Sequence, residues 1–303
     1  MTNIQTRSLA LALKVGLNVI KRAPFLGHTD FPALLENNAE RILNLPGAMP
    51  FFSTRRTDIN QVKGLIEQLH PLATDKPLIR FGPSADGGYL IPDDLDGIKA
   101  CFSPGVSTVA GFELDCAKKG MEVFMADASV AKPPVSHPNF HFIQKFIGAS
   151  SRETFISLED WVQHSGIDPT ADLLLQMDIE GYEYESLLAT PRSVLERFRI
   201  IVIEFHFLDY LLSEPIFAIY RRAFEKLLMT HACVHVHPNN LCPILRIGDF
   251  EMLQMAEFTF LRRDRVRNPR FATEFPHPLD RDNSTDAKGC PLPKSFFRQN
   301  PIL

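Results

Sequence analysis

Asp178 and Glu180 close one short apolar run, LLLQMDIEG, and Glu204 and His206 close another, RIIVIEFHF. Residues two apart on an extended chain point to the same face. Each pair therefore delivers two ionisable groups to one side of a strand end. Such groups are costly to desolvate unless they serve something. A carboxylate–imidazole cluster does general-base work, and it also binds divalent cations. His206 and Glu180 are the groups to take a proton. Asp178, Glu204 and His206 are the set to hold a metal. An ordinary strand-end pairing of Glu204 with His206 is the plainer alternative.

Two further constellations could carry chemistry. Gly105, in SPGVSTVAGFE, is the one glycine at the first strand–helix turn. The stretch is neither GxGxxG nor a Walker loop, so a turn that grips pyrophosphate is poorly supported. Asp127 ends the next strand, where a carboxylate can take both hydroxyls of a ribose. Glycine turn plus acidic residue points to a nucleoside cofactor; a capping aspartate is the alternative. His235 and His237, in VHVHPNN, have a metal-like spacing. Their strand is expected at a sheet edge, one strand removed from Glu204, so they would reach the same mouth only if the loop folded inward.

These residues need strand ends to hold them. IKACFS, MEVFMADAS, PNFHFIQKFIG, LLLQMD, RIIVIEFHF, ACVHVHP and EFTFLRR read as seven strands. The spacing predicts helices in VAGFELDCAKKG, in SLEDWVQHSG behind a Ser-x-x-Asp cap, in YESLLATPRSVLERF with a break at Pro191, and in PIFAIYRRAFEKLLMTH. Strand–helix alternation of this length predicts an α/β fold with a doubly wound, mostly parallel sheet. In such sheets ligands bind beyond the carboxyl ends of the strands. Upstream, LIRFGPSADGGYLIPDDL predicts a hairpin turning at Asp86-Gly87-Gly88. Residues 31–45 and 61–72 carry helical spacing. The organisation expected is an N-terminal helical accessory segment (1–75), the sheet domain (76–267) and a loop-rich tail (268–303).

The bulk properties narrow the class. A chain of 303 residues with 45% hydrophobic content is long enough for a large core. A formal net charge of -4 gives no electrostatic footprint for nucleic acid. The basic run RRDRVRNPR (262–270) reads as a solvated strand end and loop. Five scattered cysteines without CxxC spacing suit a reducing, cytoplasmic setting and argue against a disulfide framework. The N-terminal run is broken by Lys14 and Asn18 and is too short to span a bilayer. Residues 8–20 are expected to form an amphipathic helix, packed on the domain or resting on a membrane surface.

LLQMDIEGYEYESLL resembles the strand–DxEG–E–helix hallmark of the FkbM-type S-adenosylmethionine-dependent methyltransferases. VIEFH is similar to the strand that follows in that family. DGGYLIPDDL and SPGVSTVAGFELDCAKKG resemble a subgroup with a DGGY turn before the cofactor strand. The resemblance covers roughly residues 78–263. It implies a seven-strand Rossmann-like sheet, an S-adenosylmethionine cofactor and O-methylation of sugars or natural products. By the resemblance, Gly105, Val106 and Ser107 would touch the methionine half of the cofactor. Asp127 would hold the ribose, Ala128 would lie beside the adenine, and Asp178 near the sulfonium. Many relatives have a glycine–alanine–asparagine–x–glycine turn where this chain has Ser-Pro-Gly-Val-Ser.

The expectation is a methyltransferase acting on a small hydroxyl-bearing acceptor, with a divalent cation at Asp178, Glu204 and His206 as an addition. Two other classes stand beside it. One is another nucleotide-dependent α/β enzyme, dehydrogenase-like, against which the missing GxGxxG counts. The other is a non-catalytic module on a membrane surface or in an assembly.

Overall fold

In the computed structural model, which describes residues 55–298 and 300, seven strands form one sheet. They are β1 (Ala100–Pro104), β2 (Glu122–Ala126), β3 (Phe140–Ile143), β4 (Leu173–Met177), β5 (Phe198–Phe205), β6 (His231–Pro238) and β7 (Ala256–Arg262). Their spatial order is β6-β7-β5-β4-β1-β2-β3. β7 runs antiparallel to both neighbours; the pairs from β5 to β3 are parallel. The order reverses between β1 and β4, and the residues read as chemical follow the strands around that point. The seven strands and the Rossmann-like sheet stand as the sequence implied.

The apolar runs explain the middle of the sheet. Every residue of β1, β4 and β5 is buried. Strands covered on both faces read as continuous apolar stretches. Phe102, Leu173, Leu175, Met177, Ile201, Ile203 and Phe205 feed one core. Cys101, Leu174, Ile200 and Val202 feed the other. The polar strand residues follow the second parity. Ser103, Gln176, Asp178, Glu204, His206 and Glu257 therefore share one side of the sheet.

The two sides are covered differently. On the first lie α1 (Ile59–Gln68), α3 (Leu158–His164), α4 (Glu183–Ala189) and α6 (Glu214–Thr230), through Val62, Trp161, Tyr184 and Phe224 among others. On the second lie α2 (Gly111–Lys118), through Phe112 and Cys116, and the hairpin of Leu78–Phe81 with Tyr89–Pro92. The hairpin does more than lead into the domain. Leu90 O accepts a 2.6 Å bond from Thr259 Oγ1 on β7, and Tyr89 is packed into the second core. Gly88 serves the turn itself. A Cβ on Gly88 would fall 2.0 Å from Pro83 O.

Local signals hold at most boundaries. Ser157 Oγ caps α3 by accepting from Asp160 N. Pro191 separates α4 from a single turn, α5 (Arg192–Leu195). PNFHFIQKFIG differs from expectation. It divides into β3 and a separate segment, Phe146–Gly148, that pairs with Phe155–Ser157 outside the main sheet. At the amino ends of the strands, Asp172 binds both Arg199 and Arg262, and Asp94 binds Arg265. These ion pairs neutralise Arg262 and Arg265 of the basic run.

The described residues form one compact unit. Within it α1 contributes to the first core, Leu72–Ala73 pairs with Arg270–Phe271, and Phe296 is buried in the same core. The helix expected at 31–45 and the amphipathic stretch at 8–20 lie outside the described residues. No described helix is long and apolar enough to cross a membrane.

Candidate active site

The ends of β1, β2 and β4 are tied together by backbone. Asp178 N donates to Pro104 O at 3.3 Å, and Gly105 N donates to Ala126 O at 3.0 Å. Gly105 sits at φ 88°. A Cβ there would fall 1.6 Å from the Asp178 carbonyl oxygen. The first turn thus lies directly on the strand end that carries Asp178, and only glycine permits the approach.

Asp127 is buried at the end of β2. Its Oδ2 accepts from Ser107 N at 2.8 Å. Its Oδ1 accepts from Ser129 N at 2.8 Å and from Ser129 Oγ at 2.6 Å. Val106 is buried, Ala128 half-buried and Ser107 exposed. The turn from Gly105 and the end of β2 therefore meet, with Asp127 as their clasp.

On the other side of Asp178 lies the ionisable group. Met177 pairs with Ile203, so Asp178 and Glu204 follow at adjacent strand ends. Glu180 has a left-handed backbone, φ 57°, and Gly181 follows at φ 102°. This loop turns the Glu180 side chain outward and returns the chain to α4. His206 Nε2 lies 3.9 Å from Asp178 Oδ1 and 3.7 Å from Glu180 Oε2. Glu180 is exposed, whereas the His206 side chain is only 9% exposed.

Glu183 is the residue that sequence reasoning missed. By its position alone it is an acidic residue at the start of a helix, where the dipole favours negative charge. It does open α4, but its side chain is fully buried. Its Oε1 lies 3.1 Å from His206 Nδ1 and accepts from Ile179 N at 3.3 Å and Gly181 N at 3.0 Å. One carboxylate thus holds both the DIEG loop and the imidazole. A glutamate two residues after a Glu-Gly pair, able to reach back to the loop N–H groups, was the available signal.

The electrostatics follow from burial and crowding. Burial alone would lower the His206 pKa. The hydrogen bond that His206 Nδ1 donates to Glu183, with the charges of Glu183, Asp178 and Glu204, outweighs it and raises the imidazole to about 9. Burial, with Glu204 alongside, lifts Asp178 well above the usual carboxylate range. Burial and the opposing Glu257 lift Glu204 to about 8. Glu204 Oε1 accepts from Asn239 Nδ2 at 2.8 Å, and Asn283 Nδ2 donates to Glu257 at 2.7 Å and to Asp86 at 3.2 Å.

Deeper on the same face a chain of hydrogen bonds crosses three elements. Ser103 Oγ lies 2.5 Å from Glu113 Oε1 and 2.6 Å from Gln176 Oε1, and Gln176 Nε2 donates to Tyr89 Oη at 3.1 Å. Burial pushes the Glu113 carboxyl up to about 7.

His235 and His237 do not join the mouth. β6 is the edge strand, with β7 between it and β5. His235 Nε2 lies 2.9 Å from Asp280 Oδ1, and His237 Nδ1 lies 3.7 Å from the same oxygen. His235 anchors the tail through that bond, and His237 lies beside the same carboxylate with its Nε2 buried and unbonded.

Residues 123–229 match the family described as the methyltransferase FkbM domain. No curated protein matches the chain. Similar solved structures include one of Anabaena variabilis ATCC 29413, described as a methyltransferase from an antibiotic biosynthesis pathway. It is 11% identical over 64% of this chain and 68% of that one, with a TM-score of 0.24. The 16S rRNA (adenine(1408)-N(1))-methyltransferase of Catenulisporales acidiphilia is 11% identical over 63% of this chain and 100% of that one, TM-score 0.28. The precorrin-6y C5,15-methyltransferase of Geobacter metallireducens is 10% identical over 69% and 93%, TM-score 0.25. At these TM-scores none of the three bears on the site. The matched segment holds β2, β4, β5 and α6, and with them Asp127, Asp178, Glu180, Glu183, Glu204 and His206.

Proposed function

From the match of residues 123–229 to the methyltransferase FkbM domain, we propose that this chain moves a methyl group from S-adenosylmethionine to a hydroxyl of a small acceptor, a sugar or natural product. The observation that carries the reading is the junction at Asp178. The Gly105 turn lies against its backbone, and the Glu180–His206 pair lies against its side chain. Donor and acceptor sites on either side of one residue are what direct transfer between two ligands requires.

The donor side fits a nucleoside. Asp127 spends three hydrogen bonds on Ser107 and Ser129. A carboxylate offers about four acceptor positions. One is left for a ribose hydroxyl, and a second opens when Ser129 Oγ rotates away. Gly105, Val106 and Ser107 would line the methionine half, and Ala128 the adenine. When bound, the cofactor supplies an electrophilic methyl group on sulfur.

On the acceptor side the chain positions an oxygen and receives its proton. The hydroxyl proton becomes strongly acidic as the oxygen forms its new bond, so a carboxylate suffices as base. Glu180 is exposed at the mouth and is the group placed to take it. His206, positive below about pH 9, holds Glu180 and Asp178 in place by charge. Most of the acceleration comes from alignment.

Calorimetry of the full chain with S-adenosylmethionine tests the reading. Saturable binding is expected, weakened strongly in Asp127→Ala; absence of heat at millimolar cofactor would sink it. With an accepted hydroxyl compound, Glu180→Gln should lower kcat and leave donor affinity unchanged.

A further inference from the structure

We infer that Asp178, Glu180 and His206 form a divalent-cation site oriented by Glu183, with Glu204 outside it. The inference goes beyond methyl transfer, and its test needs no turnover.

Three observations carry it. Ligand atoms of Asp178, Glu180 and His206 all lie within 4.8 Å of one another. Donors bonded to one ion at about 2.1 Å stand roughly 3 Å apart at right angles and about 4.2 Å apart when opposed. The His206 Nε2 distances of 3.9 Å and 3.7 Å fall inside that range. The donors thus already surround a common point, and only a small closure is needed.

The second observation is what these atoms lack. His206 is nine-tenths buried, and its Nε2 makes no hydrogen bond, although it points between two carboxylates. Asp178 Oδ1 is buried without a hydrogen-bond partner. A buried polar atom without a partner gives up its hydration and gains nothing in return. Asp178 Oδ1 and the unbonded His206 Nε2 face one another across the same gap, an arrangement that an occupant accepting lone pairs explains.

The third is the support behind the imidazole. Glu183 Oε1 bonds His206 Nδ1 at 3.1 Å and is itself held by Ile179 N and Gly181 N. With a cation bound, that contact keeps the ring's remaining proton on Nδ1, and the ion takes the Nε2 lone pair in place of the second proton that His206 carries below about pH 9 when the site is empty. A carboxylate behind a ligating histidine fixes the ring orientation and raises its basicity. Glu204 has a different engagement. Its Oε1 is taken by Asn239, and it faces Glu257 across the β5–β7 pair. The sequence-level set of Asp178, Glu204 and His206 is thereby revised in one member.

Two carboxylates and one imidazole, without thiolate, suit a hard to borderline divalent ion such as manganese. Three protein ligands leave positions open toward the mouth. Glu180, bound through one oxygen, keeps the other for a proton.

The test is titration of the cofactor-free full chain with manganese chloride, following loss of the free-ion paramagnetic resonance signal. One ion per chain is expected. Asp178→Asn and His206→Ala should each weaken binding by roughly 100-fold or more, and Glu183→Gln by about 10- to 100-fold. Glu204→Gln should bind within about threefold of the parent, well below the effect of losing an orienting group. Circular dichroism and thermal melting establish that each variant is folded. Should His206→Ala fail to fold, Glu180→Gln, at an exposed position, takes its place. A folded parent that binds no manganese at millimolar concentration overturns the site. So does a Glu204→Gln loss that matches His206→Ala while Glu180→Gln binds normally. Loss of the cation with S-adenosylmethionine binding retained would leave methyl transfer standing, so the two readings fail separately.

Discussion

Replacing Glu113 by glutamine puts the hydrogen-bond chain beneath the site to a quantitative test. Ser103 Oγ lies within hydrogen-bond distance of both Glu113 Oε1 and Gln176 Oε1. A hydroxyl has one proton to give. Ser103 gives it to Gln176, so Glu113 must donate to Ser103 and is neutral. Burial of Glu113, 4% exposed, favours the same state. The folded carboxyl titrates at about 7 against 4.5 for the ordinary group. Its folded pKa is raised, so its contribution is intact below pH 4.5 and is lost as pH rises toward 7. Two and a half units at about 1.4 kcal/mol each give roughly 3 kcal/mol lost at pH 8. Glutamine donates from its amide as the protonated acid does, and it does not titrate. Urea unfolding at pH 4.5 should therefore show the variant close to the parent. At pH 8 the variant should be more stable by up to about 3 kcal/mol. Glu204 and Glu257 drift in the same direction, so the difference between the two proteins is the informative quantity. A variant less stable than the parent at pH 8, or a difference that does not change with pH, would refute the neutral-Glu113 chain.

Two other perturbations have definite outcomes. His231 is fully buried and held near pKa 4 by desolvation, with Nε2 2.7 Å from Phe198 O. Its folded pKa is depressed, so stability is lost as pH falls from about 6.5 toward 4, by roughly 3 kcal/mol. His231→Gln should flatten that acid limb in urea titrations; an unchanged limb removes His231 as its source. Gly105→Ala places a Cβ 1.6 Å from the Asp178 carbonyl oxygen at φ 88°. The cost should exceed the roughly 1–3 kcal/mol of left-handed strain alone. Thermal melting should show a large drop, and a Tm within a degree or two of the parent would mean the turn is not packed on Asp178 as described.

Much of the architecture was legible because the strands are apolar on both faces and separated by turns with clear chemistry. The pairing of Asp178 with His206 followed from period-two geometry and neighbouring strands. What escaped reading was reach. Glu183 looks like any acidic residue in a first helical turn. Its return to Ile179 and Gly181 depends on a left-handed Glu180, and no residue type announces that. Asp127 could be read as a capping residue or as a ribose ligand, and the structure shows the first use while leaving capacity for the second. The histidines of VHVHP had ligand-like spacing, yet His235 is bonded to a tail aspartate far along the chain, Asp280, with His237 beside the same carboxylate.

The place of β7 has a consequence for how the protein is made. β6 is complete by Pro238, yet its neighbour in the sheet begins only at Ala256. A nascent chain that has emerged as far as β6 has β5 and β6 in hand, joined by a crossover through α6, and nothing between them. Adjacent parallel pairing of those two strands is the ordinary outcome of such a connection. Here it would be wrong by one strand width, about 5 Å. The nascent sheet must keep a slot open, or reopen it, until Phe258 and Phe260 arrive to fill it from the opposite direction. Asp280 and Asn283 then close over the same edge. A chain that folded as it emerged would thus finish with an insertion, and a halt after β6 and before β7 would leave an apolar seam exposed.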